Sequence, residues 1–312
     1  MFQVLYGVEN KYQDVTAVVA HLADDNKMFH IPAGDVDRSY LFGDPALNIL
    51  KHIKVSLGTQ HLERLVPSTQ SLILDLKDVD LSAFTYVAPL ADLRTQLAGV
   101  TEARAKLDLI HKTLKFVGGN IRDEYPEQLM AASWIGPQAR VLELGSNIGR
   151  NTLTIASLLA DETQLVTMEC DPVSCKMLEI NRRLNGMQFG VEAAALSYRK
   201  LIQQGWNTIP SDEVLPGYKA VECLTFQQVE AKYNTIFDTL VVDCEGALYW
   251  ILMDYPDLFK NINLLIQEND YSSIEHKQKV DELASAAGLH RVYSEAGGFG
   301  PCYGNFYEVW VR

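Results

Sequence analysis

A glycine turn between an apolar strand and a helix is the first place in this sequence where residue types and spacing could do chemistry. The stretch VLELGSNIGRN, residues 141–151, carries Glu143 near the end of the strand and then Gly145 and Gly149. Glycines allow a tight turn and a close approach of the backbone to a ligand, and the free N–H groups of the following helix attract an anion. Glu169 ends the next strand, 24 residues after Gly145, where an acid can accept both hydroxyl groups of a ribose. These residues predict a site for an adenosine-containing ligand.

The spacing of the glycines separates two kinds of adenosine ligand. A dinucleotide site is expected to carry G-x-G-x-x-G, whereas this turn is G-x-x-x-G with Glu143 two residues before it. A carboxylate there disfavours a pyrophosphate and favours a ligand with an amino group and a sulfonium. S-adenosylmethionine has both groups. A dehydrogenase remains an alternative that a failure to bind NAD would exclude.

Acidic and amide side chains follow two further strands of the predicted sheet. Asp243 and Glu245 come after TLVV, and Glu268, Asn269 and Asp270 come at the end of INLLIQEND. A neutral hydroxyl group is a poor nucleophile, so a reaction at such a group needs a base or a metal. We therefore expect Asp243, Glu245 and Glu268 to be catalytic. Alternatively, Asp243, Glu268 and Asn269 bind Mg²⁺, which prefers oxygen donors. A third interpretation is that some of these residues cap the helices that follow.

The elements that must position these residues form an alternating pattern from residue 139 onward. Apolar strands without polar alternation are separated by helices, which is typical of a parallel sheet covered on both faces. HRVYSEA and NFYEVWVR are joined by a glycine-rich loop, so they predict a hairpin with one antiparallel strand at the edge. We expect a doubly wound, mostly parallel α/β sheet of seven strands with an antiparallel C-terminal hairpin strand. In such sheets ligands bind outside the carboxyl ends of the strands.

The first half of the chain has a different pattern. Residues 1–85 read as a small strand-rich accessory domain, residues 86–138 as a helical linker region, and residues 139–312 as the ligand-binding domain. Apolar residues at spacings of three and four predict one long amphipathic helix over 90–117, which is core or the contact of a homodimer. Residues 203–219 interrupt the strand-helix alternation and read as a long loop of the kind that forms lids.

Composition excludes some partners and favours one compartment. The net charge of −13 argues against nucleic acid and against an anionic membrane surface, because both require a basic face. Five cysteines without C-x-x-C spacing indicate neither disulfides nor a zinc site. The first residues lack the pattern of a signal peptide. We expect a cytoplasmic protein.

The glycine turn, Glu169 and the terminal hairpin together resemble class I S-adenosylmethionine-dependent methyltransferases. Over about residues 120–312 the order and spacing of the motifs resemble the FkbM-type methyltransferases, which carry Asp-x-Glu-Gly after the fourth strand, here residues 243–246. The stretches that match are VLELGSNIGRNTL, VTMECDP, AAALS, VECLTF, FDTLVVDCEGALYWIL and INLLIQEND.

The resemblance implies an O-methyltransferase that uses S-adenosylmethionine and acts on a hydroxyl group of a sugar, a glycan or a related small molecule. It places Asp243 beside the sulfonium and the acceptor. The remaining cofactor residues that it implies are Glu143, Gly145, Ser146, Asn147 and Gly149 for the methionine part, Glu169 for the ribose, and Cys170, Asp171, Ala195 and Leu196 for the adenine. The alternative is a non-catalytic glycan-binding or scaffold protein that retains the methyltransferase fold.

Overall fold

The structure, a computed structural model, divides the chain into two compact units. It describes residues 2–23, 26–43, 45–46, 49–57, 62–80, 83 and 90–312. The first unit comprises Met1–Pro89, Thr113–Asp123 and Ile180–Met187, and the second comprises Leu90–Lys112, Glu124–Glu179 and Gln188–Arg312. The expected boundary at residues 85–86 lies outside the described residues. The independent folding of residues 1–85 stays a prediction.

The first unit is rich in short strands, as its sequence predicts. Its elements are β1 (Gln3–Val8), β2 (Lys11–Asp14), α1 (Thr16–Leu22), β3 (Met28–Ile31), α2 (Asp35–Phe42), β4 (His52–Leu57), β5 (Leu62–Val66) and β6 (Leu72–Asp75). Four strands form an antiparallel sheet in the order β2-β1-β4-β5, and β3 pairs with β6. Val4 and Tyr6 alternate into an apolar core. Asp14 accepts the backbone N–H of Thr16 at the start of α1.

Two helices lie where the sequence predicts one long helix over 90–117. These helices are α3 (Leu90–Ala98) and α4 (Ala103–Thr113). The single-helix prediction is wrong because Gly99 and the β-branched residues after it interrupt the helix. The apolar stripe is nevertheless core, since Leu107 and Ile110 are completely buried within the chain. The homodimer through this segment stays a prediction, and it would have to use the polar faces of these helices.

The second unit alternates strands and helices. Its elements after α4 are α5 (Tyr125–Trp134), β7 (Val141–Leu144), α6 (Arg150–Leu158), β8 (Leu165–Met168), α7 (Pro172–Leu184), β9 (Gly190–Glu192), β10 (Ala195–Leu196), β11 (Leu201–Gln204), β12 (Asn207–Pro210), β13 (Lys219–Val221), β14 (Cys223–Leu224), α8 (Phe226–Tyr233), β15 (Thr239–Val242), α9 (Leu248–Asp254), β16 (Leu264–Glu268), α10 (Ile274–Ala286), β17 (His290–Glu295) and β18 (Tyr307–Val311). The last five residues of α7 fall in the first unit. Across the described part of the chain, none of the helices has both the length and the apolar character of a membrane span.

Seven strands form the central sheet in the order β17-β18-β16-β15-β7-β8-β9. Five strands of this sheet run parallel, namely β16, β15, β7, β8 and β9, and β18 is antiparallel to both of its neighbours. This is a doubly wound, Rossmann-like α/β fold, so the expected fold class is confirmed. The antiparallel strand is not at the edge, however, because β18 inserts between β16 and β17 and leaves β17 outermost.

The strand order fixes where a ligand would bind. The chain winds from β7 outward to β9 and then returns to β15 on the other side of β7. The switch point of the sheet is therefore between β7 and β15, and the crevice at the carboxyl ends of these two strands is the expected ligand site.

Residues 203–219 are not one continuous loop: strands occupy residues 203–204, 207–210 and 219, and residues 211–218 connect β12 to β13 without a helix or strand. β11 pairs with β12 across a two-residue connection, Gly205-Trp206, and β13 pairs with the other side of β11. Gly205 has a φ of +57°, which tight hairpin connections require. The two-residue turn between LIQQ and NTIP is the local signal that the loop interpretation overlooked.

Candidate active site

The glycine turn after β7 depends on close packing of two backbones. Gly145 has a φ of +83°, and an ideal Cβ there would lie 1.6 Å from the carbonyl oxygen of Asp243. Gly149 has a φ of +95°, and a Cβ there would lie 2.4 Å from a methyl carbon of Leu178. Neither position has room for a side chain. The turn that precedes α6 is thereby held directly against the residue that follows β15.

Glu143 is buried beneath this turn. Its Oε2 atom accepts the hydroxyl hydrogens of Thr152 at 2.6 Å and of Thr167 at 2.7 Å. Burial raises the pKa of Glu143 to about 7, against the opposing effect of these two hydrogen bonds. The carboxyl group is therefore held between α6 and β8, and its contact with the methionine part of a cofactor stays a prediction.

Glu169 links the turn to the end of β8. The side chain is buried, its Oε2 accepts the backbone N–H of Asn147, and its Oε1 accepts that of Asp171, each at 2.7 Å. Burial raises the pKa of Glu169, although these backbone hydrogen bonds oppose the shift. A carboxylate has about four lone-pair sites, so both oxygens can still accept the hydroxyl groups of a ribose.

The other residues assigned to the cofactor lie in the turn after β7, just before α7 and in β10. Asn147 has a φ of +48° within the turn. The buried hydroxyl group of Ser146 has no hydrogen-bond partner among the described residues, which is expected of a group that meets a ligand. Asp171 accepts the backbone N–H of Ser174 in the first turn of α7. Ala195 and Leu196 form β10, which pairs in parallel with β14.

Three carboxyl groups converge at the ends of β15 and β16. Oxygen atoms of Asp243, Glu268 and Asp270 lie within 4.8 Å of one another. The side-chain amide nitrogen of Asn269, which the sequence placed among the metal ligands, donates to the carbonyl oxygen of Asn305. Its buried Oδ1 has no hydrogen-bond partner among the described residues, and its role as a metal ligand stays a prediction.

Glu127 is the acid that sequence reasoning missed. It lies in the first turn of α5, it is 9% exposed, and its Oε2 has no hydrogen-bond partner among the described residues. It lines a small cavity together with Asp243, Glu268 and Asn151, whose buried Oδ1 also has no partner. The only signal in the sequence was that Glu127 directly precedes the mostly apolar stretch QLMAASW. Spacing alone does not connect this acid to β15.

The charges of this carboxyl cluster repel one another. Burial, the hydrogen bond with Glu127 and the charge of Asp243 raise the pKa of Glu268 to about 12. Burial and the charges of Glu245 and Glu127 raise the pKa of Asp270 to about 7. Burial and the charge of Asp270 raise the pKa of Asp243 well above its usual range. A positive group entering the cavity would relieve this repulsion.

Glu245 differs from the other predicted catalytic acids. It is exposed at the surface, its φ is +54°, and Gly246 follows it with a φ of +76°. Its charge acts on Asp243 and Asp270. Its direct role in catalysis stays a prediction.

Comparisons with known proteins add little beyond the fold. No family model matches the chain, and no curated protein sequence matches it. Among solved structures, a ribosomal protein L11 methylase from Lactobacillus delbrueckii subsp. bulgaricus is 14% identical over 62% of this chain and 80% of that chain, with a TM-score of 0.41. An O-methyltransferase from Bacillus cereus, in complex with SAH, is 14% identical over 73% of this chain and 99% of that one, with a TM-score of 0.38. Similarity at this level carries no argument about what the chain binds.

Proposed function

We propose that the protein is an S-adenosylmethionine-dependent methyltransferase that methylates a hydroxyl group of a sugar, a glycan or a related small molecule. The observation that carries this proposal is the contact at the switch point of the sheet. Gly145 of the cofactor turn packs against the backbone of Asp243, which belongs to the carboxyl cluster. A bound sulfonium and an acceptor hydroxyl group would meet at this point.

The cofactor half of the site suits S-adenosylmethionine. The N-terminus of α6 carries the positive end of the helix dipole, which favours a carboxylate, the buried hydroxyl group of Ser146 has no hydrogen-bond partner among the described residues, and Glu169 can accept ribose hydroxyl groups. The G-x-x-x-G spacing, with Glu143 buried beneath it, gives no support to a pyrophosphate. A dehydrogenase is therefore not the function that the site favours.

The acceptor half of the site suits a proton transfer. Methyl transfer from a sulfonium is an in-line displacement, in which the acceptor oxygen forms a bond to the methyl carbon as the bond to sulfur breaks. Asp243 would take the hydroxyl proton, and the charge of Asp270 favours this transfer because, together with burial, it raises the pKa of Asp243. The oxygen atoms of Asp243, Glu268 and Asp270, with the unpartnered Oε2 of Glu127, also fit a divalent cation such as Mg²⁺, which would polarise the acceptor hydroxyl group when bound.

The class of acceptor rests on the FkbM resemblance of about residues 120–312. Members of that family mostly methylate hydroxyl groups of sugars or natural products. The decisive experiment is mass spectrometry of the purified protein for bound S-adenosylhomocysteine, followed by calorimetry with S-adenosylmethionine and a screen of sugars, nucleotide sugars and glycans. A protein that binds the cofactor but methylates no hydroxyl compound would support the non-catalytic alternative.

Glu169→Ala is expected to weaken the binding of S-adenosylmethionine at least tenfold. Hydrogen bonds to a charged group contribute about 1.5–3 kcal/mol, and the variant loses those to both ribose hydroxyl groups. Calorimetry measures the change. Asp161→Ala is the matched control, because Asp161 is an exposed acid that accepts hydrogen bonds from Thr163 and precedes β8, whereas Glu169 follows β8. Equal affinity of the Glu169 variant and the wild type would remove the ribose assignment.

A further inference from the structure

The hairpin of β11 and β12 returns to the end of β8. Gln203 and Thr208 are directly opposite each other in this hairpin. The side-chain amide of Gln203 donates a hydrogen bond to the Cys170 sulfur at 3.4 Å. Burial raises the pKa of this thiol, and the nearby hydroxyl group of Thr208 opposes the shift. Cys170 immediately follows Glu169. The paired residues Gln203 and Thr208 therefore lie beside the end of β8, next to the acid assigned to the ribose.

The direction of the ligand follows from the order of the strands. The sulfonium is placed at the switch point between β7 and β15, and Glu169 ends β8 on the far side of β7. The base is attached at C1′ of the ribose and the sulfur-bearing carbon at C4′, the two ring carbons that flank the ring oxygen. The adenine must then extend away from β7, toward β9 and β10, and the chain that follows β10 is the one that forms the hairpin.

We propose that Gln203 and Thr208 form the outer wall of the adenine pocket and that the side-chain amide of Gln203 recognises the adenine amino edge. This inference rests on the proposed function. A glutamine amide carries a donor and an acceptor that match the adjacent donor and acceptor of adenine. A thiol is a weak acceptor, so Gln203 can exchange the Cys170 sulfur for the base at little cost. The inserted sheet thus belongs to the cofactor side of the site, whereas a lid over the acceptor was the expectation from the sequence.

The test uses two ligands that differ only at the base. S-inosylhomocysteine carries an oxygen where S-adenosylhomocysteine carries the 6-amino group, so it reverses the hydrogen-bonding character of that position. Calorimetry is performed with both ligands on the wild type, Gln203→Ala and Gln204→Ala. Gln204 is the matched control because it is the neighbouring, exposed glutamine and points to the opposite face of β11.

The expected results separate the inference from the proposed function. The wild type should prefer S-adenosylhomocysteine, and Gln203→Ala should lose about three- to tenfold in affinity for it, the usual effect of one neutral hydrogen bond. The same variant should bind the inosine analogue as the wild type does, so its discrimination falls, while Gln204→Ala keeps both values. Unchanged discrimination in Gln203→Ala overturns the inference and leaves the proposed function standing. A wild type that binds neither ligand overturns both.

Discussion

Replacing Asp243 with asparagine is expected to reduce methyl transfer by roughly 10²–10⁴-fold, the usual contribution of a positioned proton acceptor. The substitution keeps the shape of the side chain and removes its charge. Asp243 directly follows β15, its backbone N–H donates to the carbonyl oxygen of Leu144, and its own carbonyl oxygen packs against Gly145. Because asparagine preserves this backbone, the affinity for S-adenosylhomocysteine should change little.

The measurements that follow distinguish three roles of Asp243. A base or a metal ligand affects turnover and leaves cofactor affinity nearly unchanged. A carboxylate that mainly stabilises the sulfonium affects the affinity for S-adenosylmethionine more than the affinity for the uncharged product S-adenosylhomocysteine. Chelator treatment of the wild type then separates the first two roles, since a metal enzyme loses activity and regains it with Mg²⁺, whereas a metal-free enzyme is unaffected.

The control for this variant is Asp257→Asn, which removes an exposed acid outside the carboxyl cluster. Its turnover should equal that of the wild type. Normal turnover in Asp243→Asn would exclude Asp243 from the chemical step and would direct attention to Glu245 or Glu268.

Glu308→Ala is expected to destabilise the second unit by about 3–5 kcal/mol, the usual cost of breaking a buried ion pair. Glu308 is completely buried in β18 and accepts hydrogen bonds from Lys277 at 2.8 Å and Arg291 at 2.7 Å. Gln267 and Trp310 donate to it as well. The network joins α10, β16 and β17 to the inserted strand, and the variant leaves the buried ammonium group of Lys277 without its Glu308 partner.

Urea unfolding followed by circular dichroism measures this effect. The matched control is Glu282→Ala, which removes one acid from an exposed ion pair with Lys279 on the same helix and should cost less than about 1 kcal/mol. An equal and small loss in both variants would show that the Glu308 network does not stabilise the sheet.

The same network predicts a sensitivity to acid. Burial by itself would raise the pKa of Glu308, but the charge of Lys277 and the hydrogen bonds from Lys277, Trp310 and Arg291 lower it overall. A depressed folded-state pKa contributes stability that is present above the unfolded value, about 4.3, and is lost as the pH falls through the folded value. The stability difference between the wild type and Glu308→Ala should therefore shrink below about pH 4.

The sequence by itself determined the features that depend on residues close together in the chain. The alternation of apolar strands with helices predicted the doubly wound sheet, because strands that are buried on both faces do not alternate polar and apolar residues. Gly145 and Gly149 marked the turn after β7, because both residues have a positive φ that favours glycine, and at Gly145 the backbone of Asp243 also leaves no room for a Cβ atom. Asp243 and Glu268 could be placed near each other because the carboxyl ends of adjacent parallel strands meet at one edge.

Only the tertiary structure decided which distant residues join them. Glu127 enters the carboxyl cluster from α5, and Gln203 with Thr208 reaches Cys170 from the hairpin. The insertion of β18 beside β16 places Glu308 against Lys277. Local spacing predicts which face of an element is buried, but it does not predict which residues pack against that face. Contacts between segments far apart in the chain are chosen by the packing of the whole sheet and its helices, which no single stretch of sequence contains.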